Sequence, residues 1–348
     1  MDVVADSEKI AIPTWPYAYG GPCGQGVLRA SPEDFVVTEE LGFVPSGAGE
    51  HVFVKLQKTS ENTEYVARLL ARFANVRQRD VSFAGLKDRH AVTTQWFSIW
   101  LPGKPMPDWS QLALANIQIL DVLRHNKKLR RGVIAANHFK IVIRDWQGDF
   151  VHTEQQLQAI KQLGVPNYFG EQRFGNAGQN VTQALRLFAG AKVKREQRSM
   201  YLSAARAFLF NQLLSRRVAE ATWNQALPGD VFILNGSHSF FKADAAQETM
   251  LDHRLATMDI HPSGMLHGVG QSVVSETVAE MEAMALASYP ALAQGLLQEQ
   301  LEQDRRPLRV AVPDLAWQRP APNVLAIHFS LPVGSYATAV IREIIAGH

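Results

Sequence analysis

Along His51–Lys58 the apolar positions Val52, Val54 and Leu56 are set against Phe53, Lys55 and Gln57, a period of two that predicts a half-buried strand. Phe35–Glu39 predicts a strand before it, and Gly47 and Gly49 mark the intervening turn. The period then lengthens. Asn62 is a candidate N-cap for a helix whose apolar stripe is Tyr65, Val66, Leu69, Leu70 and Phe73. Further strands are expected over 95–101, 118–123 and 138–143. Many strands and few helices before about residue 163 suit an antiparallel α+β domain better than a regular βαβ chain.

After Gly164 the pattern becomes helical, over 180–188, 200–221, 276–286 and 291–302. Strand character returns at 308–312 and 323–331. A closing helix is expected to start at Ser335 as N-cap and run through Ala337, Val340, Ile341 and Ile344. This order predicts one domain interrupted by another: 1–163 and 310–348 form the first, and 164–309 is the insert. No internal repeat or low-complexity segment is evident.

With 348 residues the chain is long enough for two domains, and 46% apolar against 20% charged residues fits a globular protein with a sizeable core. No apolar run approaches the roughly 18–20 residues that cross a bilayer. The acidic start M-D-V-V-A-D-S-E-K has no apolar stretch of the kind a secretory signal requires. Cys23 is the single cysteine and forms no intrachain disulfide, so a cytoplasmic location is expected. The net charge of +2 conceals segregation: residues 124–217 carry 17 Lys or Arg against 5 acids, whereas 218–304 carry 2 against 12. Either the basic stretch meets a polyanion, or the two stretches neutralise each other in the fold.

The segment Ser82–Gln95, S-F-A-G-L-K-D-R-H-A-V-T-T-Q, carries the most chemistry. It sets Asp88 between Lys87 and Arg89, after a short apolar run (Val81, Phe83, Ala84) that ends at Gly85, where a turn is expected. Cations within about 4–6 Å favour the ionised carboxylate needed by a nucleophile or base. Charge pattern alone favours a solvated turn with weak ion pairs. The longer string F-A-G-x-K-D-x-x-A-V-T-x-Q, here Phe83, Ala84, Gly85, Lys87, Asp88, Ala91, Val92, Thr93 and Gln95, resembles the signature of the TruD family of tRNA pseudouridine synthases.

Four further segments resemble the same family in order. In Leu28–Gly42, Phe35 corresponds to a substrate-contacting aromatic, and Arg29 stands where the family usually has Lys. In Leu129–Val142, Asn137 and Phe139 match a G-N-x-F element, with Ala136 in place of its Gly. Gly164–Gly175 contains Arg173 together with Asn167, Tyr168 and Phe169, which read as scaffold. In Leu331–Glu343, Tyr336 stands where the family often has Phe, and Arg342 is a weak active-site candidate. On residue pattern alone, Phe35 and Phe139 read as strand core and Asn137 as a turn residue.

The resemblance implies a pseudouridine-synthase-like, mixed but mainly antiparallel sheet domain with an inserted, more helical TruD-specific domain. It implies isomerisation of uridine 13 in tRNA, with Asp88 as nucleophile and Phe35, Asn137, Phe139 and Tyr336 around the base. Arg29, Lys87 and Arg173 are candidate RNA contacts. So are Lys127, Lys128, Arg130 and Arg131 of the run R-H-N-K-K-L-R-R, which has five cations and no acid. A monomer is expected, with no cofactor, no metal, no protein partner and no membrane. The competing reading is a non-catalytic RNA-binding or RNA-chaperone protein of the same fold. A carboxylate-dependent hydrolase would need a second acid converging on Asp88, and Asp80 is the only one within ten residues. No G-x-x-x-x-G-K-[ST], G-x-S-x-G, H-E-x-x-H or C-x-x-C motif occurs. His261 and His267, six apart, read as core or surface histidines, and Cys23 has no evident activating partner.

Overall fold

The computed structural model describes residues 10–112, 114–243 and 248–347. In chain order the elements begin with β1 (Gly24–Leu28), β2 (Phe35–Leu41), β3 (His51–Thr59), α1 (Thr63–Phe73), β4 (Val81–Phe83), β5 (Val92–Trp100), β6 (Ile117–His125) and β7 (Ile134–Gly148). There follow α2 (Phe150–Leu163), β8 (Val165–Pro166), α3 (Gln179–Phe188), α4 (Arg195–Ala219), β9 (Val231–Leu234), β10 (Phe240–Lys242), α5 (Glu248–Ala256) and β11 (Ile260–Leu266). The chain closes with α6 (Glu276–Ala287), α7 (Pro290–Gln298), β12 (Asp304–Pro307), β13 (Arg309–Val310), β14 (Ala316–Ala321), β15 (Val324–Pro332), α8 (Ala337–Ile341) and β16 (Ile345–Ala346).

Two compact units emerge. The first, the sheet unit, comprises Cys23–Thr153, Val312–Gly334 and 345–347. Its ten-stranded sheet has the path β14-β15-β7-β2-β5-β3-β6, with β1 pairing β7 and β16, and β4 pairing β5. All pairings are antiparallel except β2 with β5 and β1 with β16. Adjacent Cα partners place Lys58, Thr93, Val37, Phe139 and Phe329 in one row across β3, β5, β2, β7 and β15. Because strand side chains alternate, this row shares a face with Val52, Val54, Leu56, Phe97 and Ile99. Helix α1 covers those five through Val66 and Leu70. Asn62 caps α1 as expected, its side chain accepting from the Glu64 and Tyr65 amides. The opposite face carries a separate core of Phe53, Trp96 and Leu129.

The second, helical unit comprises residues 10–22, Glu154–Ala311 and Ser335–Ile344. Its axis is α4, which buries Tyr201, Leu202, Ala204, Ala205, Phe208, Leu209, Phe210 and Leu214 on all sides, as a central helix does. Helices α3, α6 and α7 and strand β11 pack against it. Strands β10-β9-β11-β12 make an antiparallel sheet. This unit spans the expected insert and adds flanking segments. Trp15 explains the N-terminal one: its ring lies 5.9 Å from that of Tyr168 and 6.0 Å from Phe208. The closing helix is shorter than its sequence pattern predicts, and Tyr336, not Ser335, is its N-cap residue. Helix α2 is absent from the sequence expectations because its inward positions are few, Leu157 and Ile160 being the buried apolar ones.

The segregated charges partly neutralise within the helical unit. Arg198 pairs with Glu299, and buried Arg217 with Asp230 at 3.0 Å. Arg217 also donates to the Thr222 and Gln225 carbonyls. Asp230→Ala would strand this guanidinium without its counter-ion, and we expect a loss of about 3–5 kcal/mol, read by chemical denaturation.

Candidate active site

Asp88 lies on the connection from β4 to β5, which folds onto the α1 face of the sheet. Three buried groups hold that connection. Gln95 of β5 donates from Nε2 to the Gly85 carbonyl at 2.6 Å, and its Oε1 accepts from Thr63 Oγ1 at 3.1 Å. Thr63 Oγ1 in turn accepts the Lys87 amide at 3.1 Å. Lys87 Nζ reaches Glu39 of β2 at 2.6 Å, where the two side chains are 12% and 0% exposed. The other Glu39 oxygen accepts the Trp96 amide at 3.0 Å. Lys87, expected as an RNA contact, here turns its ammonium inward to pair with a buried carboxylate. Gly85 also departs from expectation: no positive φ is found there, and a Cβ would meet nothing within 4 Å. Side-chain ties, not glycine freedom, shape the turn.

Below Asp88 sits Lys58, with no exposed surface. Its Nζ donates to the Glu61 carbonyl at 2.8 Å and approaches the Asp88 carbonyl at 3.5 Å. Burial pushes the Lys58 ammonium down to about 8, and the Asp88 charge is the largest influence acting the other way. The Asp88 carboxylate itself is 41% exposed and lies 3.5 Å from Arg29 Nη2. Arg29 holds a left-handed backbone, φ 57°, and places its guanidinium 4.2 Å from the centre of the Phe35 ring. An arginine in that backbone region costs of order 1–3 kcal/mol, a strain characteristic of functional loops.

Phe35, Phe139, Asn137 and Glu39 share the α1 face with this loop, through the pairings Phe35↔Ile141, Val37↔Phe139 and Glu39↔Asn137. The Phe139 ring meets Phe35 edge-on at 6.3 Å and stacks on Phe329 at 5.2 Å. Phe35 is only 4% exposed beneath Arg29, whereas Phe139 is half-buried. Asn137 is a mid-strand residue, not a turn residue, and its Oδ1 is buried without a hydrogen-bond partner. Such an orphan acceptor is a place for a donor from outside the protein.

Lys127, Lys128, Arg130 and Arg131 are exposed on the β6–β7 connection. Buried Leu129 anchors that connection on the opposite face, beside Phe53 and Trp96, and its amide donates to Ser98 Oγ at 3.0 Å. These four cations therefore lie across the sheet from Asp88. Tyr336 and Arg173 belong to the helical unit, where the Tyr336 hydroxyl accepts from Arg173 at 2.5 Å and its ring lies 6.3 Å from Phe169. Arg342, also there, is a structural tie. It donates to the Trp15 and Pro16 carbonyls and lies over the Tyr17 and Tyr168 rings.

Among the described residues no cluster of three or more His, Cys, Asp or Glu could hold a metal. His261 is a core residue: it accepts from Arg309 Nε, and burial drives it down to about 3. Among the described residues no helix is long and apolar enough to cross a membrane.

The family model for tRNA pseudouridine synthase D (TruD) matches residues 13–185 and 177–344. The chain is 48% identical to the tRNA pseudouridine synthase D of Methylococcus capsulatus over 332 residues, covering 95% of this chain and 94% of that protein. It is 50% identical to that of Nitrosococcus oceani over 334 residues, covering 94% and 93%. A crystal structure of a candidate tRNA pseudouridine synthase D from Methanosarcina mazei superposes with a TM-score of 0.76 at 23% identity, covering 100% of this chain and 99% of that one. The architecture of these units is thus that of a pseudouridine-synthase-type α+β fold. This chain belongs to the tRNA pseudouridine synthase D (TruD) family.

Sequence reasoning passed over Glu39, Lys58 and Thr63, and gave Gln95 no role beyond its place in the motif. If Glu39 anchors the loop, Glu39→Gln keeps the acceptor for Trp96 but leaves Lys87 without a counter-charge. The expected result is a loss on the order of 3 kcal/mol. Amide exchange over 86–88 should also accelerate, while the β14–β15 hairpin stays unchanged.

Proposed function

We propose that this chain is a tRNA pseudouridine synthase that isomerises uridine 13 of tRNA, with Asp88 as the covalent nucleophile. The observation that carries the reading is the Asp88 connection itself. A half-exposed carboxylate is held by buried side chains above a face bearing Phe139 and an orphan Asn137 oxygen.

The target base must leave its stack, at a cost of a few kcal/mol, and enter a fitted site. Phe139 would give its ring a stacking surface, and Asn137 Oδ1 would accept the uracil N3–H. Tyr336 is a further substrate-binding residue, and Phe35 supports Phe139 from behind. Asp88 attacks sugar C1′, displacing uracil with the bonding pair on N1, or adds to C6 of the ring. In either route the N1–C1′ bond is exchanged for C5–C1′, the C5 proton is lost and N1 gains one, and the Asp88 carboxylate leaves, displaced from C1′ by C5 or eliminated from C6. The exchange balances without any redox partner. Arg29, beside Asp88, is placed to meet a neighbouring phosphate, and Arg173 and the basic 127–131 connection are further RNA contacts. The protein acts as a monomer in the cytoplasm.

Asp88→Asn should keep tRNA affinity within a few fold and abolish pseudouridine formation, measured by mapping the modification in tRNA incubated with enzyme alone. Substantial product from the variant would remove Asp88 from its role, and tRNA binding without product by the unmutated protein would favour a non-catalytic RNA-binding protein. Phe139→Ala should cost about 1–3 kcal/mol in kcat/KM through lost stacking. Unchanged kinetics would make Phe139 a packing residue alone.

A further inference from the structure

Lys58 is an anomaly of the sheet unit. Strand β3 presents Val52, Val54 and Leu56 to the α1 face, all fully buried, and Lys58 continues that inward row. Among the described residues no carboxylate lies within ion-pair distance of its ammonium. Carbonyl oxygens of Glu61 and Asp88 receive it instead. A buried cation without a counter-ion is expensive, and a neutral side chain of similar size often makes such a position more stable. Holding the fold together is thus a poor reason for a lysine here. What the ammonium does touch is the backbone of the one residue on which the reaction depends.

We propose that Lys58 is a positioning residue for the isomerisation: its buried ammonium fixes the main chain at Asp88 and supplies fixed positive charge beneath that loop. The inference rests on the reading of Asp88 as nucleophile. The ammonium and the Asp88 carboxylate attract each other, which adds to the hold on that residue. The pinned carbonyl limits where that side chain can swing, and reacting groups displaced by about 1 Å can lose roughly 100-fold in rate. Other charges facing Lys58 are Lys87, Glu61 and Glu39, and Lys87 is already paired with Glu39. Arg29 meets the Asp88 carboxylate at the exposed side, so Lys58 is the buried charge that touches the Asp88 main chain. Because burial brings its titration to about 8, the positioning charge is present at neutral pH and is lost as pH rises through that value.

The test is single-turnover pseudouridine formation on an unmodified tRNA transcript, from pH 6 to pH 9, for wild type, Lys58→Met, Lys58→Arg and Asp88→Asn. Transcript affinity and thermal unfolding are measured alongside. Lys58→Met should stay folded and bind within about threefold of wild type, yet lose on the order of 30–100-fold in rate. The wild-type rate should fall with a midpoint near pH 8, and Lys58→Arg, whose charge does not titrate, should recover most of the rate and carry its plateau past that midpoint. A folded Lys58→Met with wild-type rate, or a Lys58→Arg profile that still falls with the wild-type midpoint, overturns the proposal. If Lys58→Met does not fold, the comparison of wild type with Lys58→Arg decides alone, and a flat wild-type profile to pH 9 also counts against it. Activity in Asp88→Asn would instead sink the nucleophile assignment, so the two failures are distinguishable.

Discussion

A carboxylate left half-exposed on a loop cannot also anchor that loop through a buried ion pair, so the rigidity of the loop has to come from neighbouring residues. In this protein the Glu39–Lys87 pair provides it. Lys87 precedes Asp88 in the chain, and its ammonium is fastened to a carboxylate with no exposed surface. Removing both charges from water costs several kcal/mol, and the pair is held because the second Glu39 oxygen also has a donor, the Trp96 amide. Gln95 and Thr63 extend the same logic with neutral groups, binding the Gly85 carbonyl and the Lys87 amide. Every tie ends on the backbone or on the neighbouring side chain, which leaves the Asp88 carboxylate itself open toward Arg29.

The sheet separates two kinds of surface. Its α1 face holds the acid, the aromatic rings and the orphan amide oxygen. The opposite face carries the exposed cations of the β6–β7 connection, seated by Leu129. That second face also has a polar chain: His138 bridges Glu40 and Ser330, and Ser330 donates to Asp314. In the helical unit the basic and acidic stretches of sequence meet directly, as in Arg217 with Asp230, so part of the charge asymmetry seen along the chain is consumed internally. The cations left exposed on the β6–β7 connection are a smaller and better defined set than the sequence totals suggest.

Most strands of the sheet unit were legible because their apolar runs feed the cores on its two faces, and Asn62 named its helix by its side-chain chemistry. Sequence boundaries fell short at β7, which runs to fifteen residues because β15 lines one edge while β2 and then β1 share the other. Such extent is set by partners far away in sequence. Asp88 was visible through its motif, while the groups that hold it were overlooked. Yet the signal was there: Val52, Val54, Leu56, Lys58 and Phe35, Val37, Glu39 each end an inward apolar series with a charge. A charge on the apolar phase of a strand marks a place where the fold needs it. The side of the sheet on which 127–131 would lie was not legible, because only the burial of Leu129 decides it.

The pairing of β7 has an evolutionary consequence. From Phe35 to Glu40 its register with β2 is unbroken, and the first irregularity comes only after Glu40. A one-residue slip of β7 in that pairing would turn Asn137 and Phe139 to the far side of the sheet together. Length variation among descendants of this sequence should therefore collect in the β6–β7 connection and spare the strand, so that the spacing between these two side chains is inherited as a unit.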